Sequence, residues 1–156
     1  MCKILFLDID GVLNSLSYDR TRTEKQGNID ESRLPLLGQL VERTQAQIVL
    51  TSSWRKHWEK DDALCDARGR EINETFAGYG LAIFDKTPIH ERNDRAGEIR
   101  AWLSAHPKVT EFAIIDDIAY GWGANLQDHV VRTNHRIGRG LEQKHVEAAI
   151  NILNGE

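Results

Sequence analysis

Three short runs of apolar residues are each followed at once by an acid or a hydroxyl residue. A wholly apolar run of this length indicates a strand that is buried on both faces. The runs are separated by stretches with helical spacing, and strands that alternate with amphipathic helices form a parallel sheet covered on both sides. We therefore predict an α/β protein: a three-layer Rossmann-like domain with a mostly parallel central sheet. The runs are residues 4–7, 48–50 and 112–115.

The same periodicities predict the remaining elements. Further strands are expected at residues 81–84 and 130–131, and helices at residues 34–41, 54–67, 93–103 and 141–153. Ser32 is expected to cap the first helix, which puts Pro35 in a first turn, where its missing N–H is tolerated. Asn93 is expected to cap the third helix, and Gly69 to end the second.

The first predicted strand leads directly into two acids. In open α/β sheets, ligands bind beyond the carboxyl ends of the strands. Asp8 and Asp10 are two positions apart, so they point to the same side if the strand continues that far, and Gly11 permits the sharp turn that must follow. Adjacent carboxylates need a cation or a shared proton. Hard oxygen ligands suit Mg²⁺, so we predict a magnesium site here.

Two more polar groups follow the other apolar runs. Asp116 and Asp117 come at the end of the third run and would complete the metal site. Thr51 and Ser52 come after the second run and offer hydroxyl and backbone donors to a phosphate oxygen. Each group alone has an ordinary explanation, because acids and hydroxyl residues after strands commonly cap helices or form turns. Their coincidence at one edge of the sheet is what favours a site.

A phosphate-binding site also needs a positive charge to offset the nucleophile and the phosphate. Arg95 is the first candidate for this role, and Lys86 and Arg55 are the alternatives. A single arginine is more often a solvated or ion-paired surface residue. The sequence leaves the choice among the three open.

The order of these groups resembles the haloacid dehalogenase-like (HAD) superfamily. Phe-Leu-Asp-Ile-Asp-Gly-Val-Leu is similar to its first motif, and the hydroxyl residue, the basic residue and the acid pair resemble its second, third and fourth motifs. Ser-Ser-Trp-Arg and Arg-x-x-Glu-Ile-x-x-Trp-Leu narrow the resemblance to the HAD domains of Swiss-army-knife RNA-repair proteins. The segments are residues 6–13, 48–51, 52–55, 95–103 and 114–117.

The resemblance implies a phosphatase with a covalent intermediate and a metal. Asp8 would attack phosphorus, and Asp10 would protonate the leaving oxygen and then activate water. Mg²⁺ would be held by Asp8, by the backbone carbonyl of Asp10 and by the acid pair. Asp117 would be the direct ligand of the pair, with Asp116 bonded nearby, although the reverse assignment stays open.

The resemblance also assigns the substrate contacts. Thr51 would hold a phosphoryl oxygen, with Ser52 in its place if the strand ends one residue later. Arg95 would stabilise the developing charge, and Arg55 is a further candidate for contact with the substrate. A phosphotransferase that uses an acceptor other than water, or a non-catalytic phosphate-binding module, remains an alternative. A receiver-like phospho-acceptor fits less well, because its acid pair would precede the acceptor aspartate.

The spacing of the motifs leaves no room for a large cap domain, so we expect an open site that admits nucleotides or nucleic-acid ends. Tyr120 and Trp122 are candidates for stacking on bases. Trp54 and Trp58, one helical turn apart, are expected to be core residues instead.

Composition sets the remaining expectations. A chain of 156 residues fits one domain, residues 1–156. The net charge of -4 argues against a dedicated polyanion binder. The two cysteines are far apart, no histidine pair has zinc spacing, and no stretch resembles a signal peptide or a membrane span. We expect a cytoplasmic protein that acts on a phosphorylated substrate, without a membrane or an obligate protein partner.

Overall fold

The computed structural model describes residues 1–156. Its centre is a five-stranded sheet in which every neighbouring pair of strands is parallel, with the order β3-β2-β1-β4-β5. The predicted α/β class with a parallel central sheet is confirmed. The strands are β1 (Cys2–Leu7), β2 (Gln47–Leu50), β3 (Ile83–Lys86), β4 (Val109–Asp116) and β5 (Val130–Arg132).

Five helices lie between the strands along the chain, and a sixth follows the last strand. They are α1 (Leu16–Thr21), α2 (Leu34–Thr44), α3 (Ala67–Ala77), α4 (Arg95–Ala105), α5 (Ala124–Gln127) and α6 (Gln143–Leu153). Short 3₁₀ turns lie at Glu31–Arg33, Ser53–His57 and Asp62–Leu64. None of the helices combines the length and the apolar character that a membrane crossing requires.

The sheet separates two apolar layers. Leu5 and Leu7 of β1 face the larger layer, which α2, α3 and α6 complete. Ile4 and Phe6 face a smaller layer, which α4 and α5 complete. This alternation follows from the period of two along a strand. It explains why β1, in the middle of the sheet, is apolar on both faces from residue 4 to residue 7, and it confirms the three-layer arrangement.

No large cap covers the carboxyl end of the sheet, as predicted. The connection from β1 to β2 contains only α1, a 3₁₀ turn and α2, and the connection from β2 to β3 contains two 3₁₀ turns and α3. These elements belong to the layers around the sheet or to short loops. The strand ends that carry the acids are therefore left open.

The helix predicted at residues 54–67 is wrong. The segment forms two 3₁₀ turns, and α3 begins only at Ala67. Asp66 determines this start, because its side chain accepts the backbone N–H groups of Arg68 and Gly69 as an N-cap. Gly69 thus lies in the first turn of α3 rather than at a helix end. A Cβ at that position would lie 2.1 Å from the His57 carbonyl oxygen, so this close approach requires glycine.

Two predicted caps also differ from the structure. Asp30, not Ser32, accepts a backbone N–H, and it caps the 3₁₀ turn that precedes α2. Pro35 lies in the first turn of α2, as expected. Asp94 caps α4 by accepting the N–H of Gly97, whereas Asn93 takes a positive φ of 36° before it. The N-cap residue of α2 itself is Arg33, which makes no side-chain cap bond, whereas α4 is capped by the residue next to the predicted one.

Candidate active site

The carboxyl ends of three neighbouring strands bring the predicted site residues together. The Asp8 N–H donates to the Ile115 carbonyl at 3.1 Å, which sets Asp8 beside the end of β4. The Thr51 N–H donates to the Leu7 carbonyl at 3.0 Å, which sets Thr51 beside the end of β1. Because the strands pair in parallel, site residues that are far apart along the chain lie next to one another at the carboxyl ends of the strands.

Gly11 permits a close approach between the turn after β1 and the acids after β4. Its φ is +81°, a left-handed conformation that side chains rarely adopt. A Cβ at this position would lie 2.3 Å from Oδ2 of Asp117. Glycine is therefore required both for the turn and for the space that Asp117 occupies.

Three carboxylates form a cluster at this edge. One oxygen each from Asp8, Asp116 and Asp117 lie within 4.8 Å of one another. Burial, and then the negative charge of Asp116, raises the pKa of Asp8 to about 8, although Arg95 acts to lower it. Burial also raises the pKa of Asp116 to about 6, again against the effect of Arg95. Clustered, buried carboxylates of this kind fit a hard divalent cation, which would compensate their charge.

The Asp10 carboxylate makes contacts of its own outside this cluster. Its Oδ1 accepts a hydrogen bond from Asn14 Nδ2 at 3.0 Å, and its Oδ2 accepts one from Trp54 Nε1 at 3.1 Å. The residue is exposed. Asp10 is thus held in one orientation at the rim, with access to solvent and to a ligand.

Of the three basic candidates, Arg95 contacts the acidic cluster. Its Nη1 donates to Asp116 Oδ2 at 2.7 Å and lies 3.6 Å from Asp8 Oδ1. Lys86 instead donates to the carbonyls of Arg55 and Trp58 and pairs with a glutamate. The geometry thus favours Arg95, the first candidate from the sequence, over the two alternatives.

Arg55 is buried away from the cluster. Its guanidinium donates to the carbonyls of Thr51, Ser52, Thr87 and Pro88 and to the carboxylate of Glu98. With only 4% of its side chain exposed, it has no free donor for a substrate. The contact between Arg55 and substrate expected from the sequence therefore has no support in this geometry. Arg55 joins the loops after β2 and β3 to α4, which carries Arg95.

The two hydroxyl candidates differ in their hydrogen bonding. Thr51 Oγ1 is buried and has no hydrogen-bond partner. Ser52 Oγ accepts the N–H of Trp54 and caps the 3₁₀ turn. A buried hydroxyl without a partner is costly unless a ligand completes it. Thr51 is therefore the hydroxyl for which a ligand would supply the missing partner.

Comparison with known families supports the same interpretation. A family model described as the HAD domain in Swiss Army Knife RNA repair proteins matches residues 4–146. The chain belongs to this family. The match includes all or most of every strand and all of the motif segments, and it supports a function of the phosphatase type that is general for HAD domains. Neither the curated proteins nor the solved structures that were searched contain a match.

Some contacts of this HAD domain could not be read from the sequence. Trp54 was expected only in the core, and it is indeed buried there, yet its indole N–H also binds Asp10. His135 was not singled out, but its Nδ1 lies 2.6 Å from Asp117 Oδ2. His135 lies in a loop after β5 without any motif, so no local signal was available to find it.

The aromatic candidates for base stacking also require a correction. Trp122 is 2% exposed and belongs to the smaller apolar layer, so it is not available to stack on a base. Tyr120 packs edge-on against it at 5.2 Å, and the Arg95 guanidinium lies 5.5 Å from the Tyr120 ring centre. Trp58 is buried as expected. The glycines around Trp122 suggested exposure, but the packing of α5 against the sheet decides its burial.

Proposed function

We propose that this HAD domain is a magnesium-dependent phosphomonoester hydrolase that acts through an aspartyl-phosphate on Asp8. The observation that carries the proposal is the buried cluster of Asp8, Asp116 and Asp117. Three carboxylates at the end of a parallel sheet are unfavourable unless a cation and a ligand compensate them. A structural role alone gives no reason to bury them together.

The proposed reaction has two displacements. A carboxylate oxygen of Asp8 attacks phosphorus, the bond to the leaving oxygen breaks, and Asp10 gives that oxygen its proton. Asp10 then takes a proton from water, whose oxygen attacks the same phosphorus. Inorganic phosphate leaves, and the Asp8 carboxylate is regenerated. The orientation of Asp10 by Trp54 and Asn14 supports this role, because both of its oxygens are fixed.

Other residues of the chain would bind the phosphoryl group. The unpartnered hydroxyl of Thr51 would donate to one of its oxygens. Arg95 would offset its charge while keeping Asp116 in position. Thr51 is preferred to Ser52 for this role because the Ser52 oxygen already accepts the Trp54 N–H, whereas Thr51 Oγ1 has no partner at all.

Asp8 and Asp117 are the proposed direct carboxylate ligands of Mg²⁺, and the backbone carbonyl of Asp10 is a further one. Asp116 Oδ2 accepts from Arg95 and Oδ1 accepts from the Ile118 N–H, which supports Asp117 as the direct ligand of the pair. When bound, Mg²⁺ would reduce the repulsion between the Asp8 carboxylate and the phosphate.

The proposed substrates are nucleotide or polynucleotide phosphates. The open end of the sheet supports a substrate that extends beyond the reacting phosphate. Membership in a family named for RNA repair proteins points to the same class. The net charge of -4 requires that any contact with a polyanion be local.

The first test is hydrolysis of para-nitrophenyl phosphate with Mg²⁺, with Asp8→Asn and EDTA as controls. We expect turnover that is lost in both controls and equal amounts of nitrophenol and inorganic phosphate. A deficit of phosphate would indicate transfer to another acceptor, and full activity of Asp8→Asn would refute the mechanism. Independently of activity, Mg²⁺ should raise the unfolding temperature of the wild type and have much less effect on Asp117→Asn.

A further inference from the structure

A second pocket adjoins the acidic cluster on the side of β5. It has a volume of about 730 Å³, and Asp117 forms part of its wall. The rest of the wall is the segment after β4 and the loop after β5, residues 118–119 and 132–137. Because Asp117 belongs to both, a ligand in the pocket lies directly beside the proposed reaction centre.

The pocket contains positive charge that no acid neutralises. Arg132 and Arg136 are exposed on its wall, and neither has a carboxylate within 4.0 Å. The Nε of Arg132 donates to the Asp117 carbonyl at 3.1 Å, which holds the stem of this side chain and leaves its Nη groups free. A planar guanidinium group with free Nη donors can donate two hydrogen bonds to two oxygens of one phosphate group.

The pocket also exposes apolar surface. Ile118 and Ile137 line it and are 46% and 90% exposed. Apolar surface beside free guanidinium groups fits an organic phosphate, whose body contacts the isoleucines while its charge contacts the arginines. An inorganic anion would contact the arginines but would leave the isoleucines without a partner.

Hydrogen bonds join the loop after β5 to the turn that follows the proposed catalytic acids. The Thr133 hydroxyl donates to the Gly11 carbonyl at 2.8 Å. The Leu16 N–H donates to the His135 carbonyl at 3.0 Å, and the Leu141 N–H donates to the Val12 carbonyl at 2.8 Å. The pocket is therefore built in a fixed position relative to the site, as a subsite for the same ligand requires.

We propose that this pocket is a second phosphate-binding site, which selects substrates that carry another phosphate group beyond the one removed. Arg132 and Arg136 bind the second phosphate, and Ile118 and Ile137 contact the organic part between the two. The inference rests on the proposed hydrolase function for its catalytic consequence. The binding itself does not depend on turnover.

The test compares a nucleoside 3′,5′-bisphosphate with the two corresponding monophosphates. The measured quantity is the ratio of kcat/KM for the bisphosphate to that for the better monophosphate. We expect the wild type to prefer the bisphosphate, and the double variant Arg132→Ala/Arg136→Ala to lose about tenfold or more of that preference, as charge-assisted contacts of this kind are lost. The control Arg43→Ala/Lys108→Ala removes the same charge at the amino ends of the strands, away from the acidic cluster. Its ratio should stay at the wild-type value.

Calorimetric binding of the bisphosphate to Asp8→Asn separates the two proposals. Binding that weakens when Arg132 and Arg136 are also replaced supports the second site even if the wild type hydrolyses nothing, in which case only the hydrolase function fails. Hydrolysis without a preference for the bisphosphate overturns the second site and leaves the hydrolase intact. An equal loss in the Arg43→Ala/Lys108→Ala control would also overturn it, because the effect would then reflect net charge alone.

Discussion

The buried pair of Arg55 and Glu98 gives the sharpest test of how this site is held together. Their side chains are 4% and 3% exposed. Glu98 accepts from the guanidinium of Arg55 and also from the His90 N–H at 3.2 Å. Burial lowers the pKa of Arg55 and the Glu98 carboxylate raises it again, so the pair depends on mutual compensation.

Replacing Glu98 by glutamine keeps the size of the side chain and removes its charge. Arg55 then remains buried without a counterion, although its bonds to four carbonyls persist. Breaking one side of a buried pair typically costs about 3–5 kcal/mol, and the retained carbonyl contacts favour the lower end of this range. For a chain of this size, about 3 kcal/mol corresponds to a fall of roughly 6–12 °C in the unfolding temperature.

Urea unfolding followed by circular dichroism measures this change, and an unaltered slope with denaturant would show that the two-state comparison is valid. Glu147→Gln is the matched control, since it removes the same charge from an exposed pair with Arg43. Its unfolding midpoint should stay close to that of the wild type. If Glu98→Gln were as stable as the wild type but had a raised KM, Arg55 would be a substrate residue and the structural role would be refuted.

Three further predictions concern the acids. Trp54→Phe should lower kcat about tenfold or more with little change in KM, because Asp10 loses a donor worth about 1.5–3 kcal/mol. A raised KM with an unchanged kcat would argue against positioning of Asp10 by the indole. Gly11→Ala should destabilise the fold by about 1–3 kcal/mol and weaken Mg²⁺ binding, because it strains the backbone and displaces Asp117, as urea unfolding and metal titration would measure. In EDTA, folded Asp8 retains a proton that the unfolded chain loses above pH 3.8. The free energy of unfolding should therefore fall as pH rises towards about 8. This slope should be smaller in Asp8→Asn, and equal slopes in the two proteins would contradict the raised pKa.

The pattern of apolar runs followed by acids was enough to predict the sheet and the place of the site. A strand that is buried on both faces can be recognised locally, because it is a short run in which every residue is apolar. Parallel pairing then aligns the carboxyl ends of such strands. Asp8, Thr51 and the acid pair came together for this reason. The helix expected at residues 54–67 failed because Asp66, rather than the apolar spacing, determines where α3 begins.

Contacts between distant segments could not be predicted in the same way. Trp54 and Asp10 are 44 positions apart, and Arg55 and Glu98 are 43 apart. Nothing in the local sequence distinguishes a buried arginine that binds carbonyls from one that binds phosphate.

The sequence by itself thus determined the α/β class, the apolar strands that lead into the acids, and the family. Tertiary structure decided that Arg95 rather than Arg55 or Lys86 contacts the acids, and that Thr51 Oγ1 has no hydrogen-bond partner whereas Ser52 Oγ caps a turn. It also decided that the loop after β5 forms the wall of a second pocket. The reason is physical: periodicity along the chain specifies which face of an element is buried, whereas hydrogen-bond partners depend on which elements the fold brings within reach.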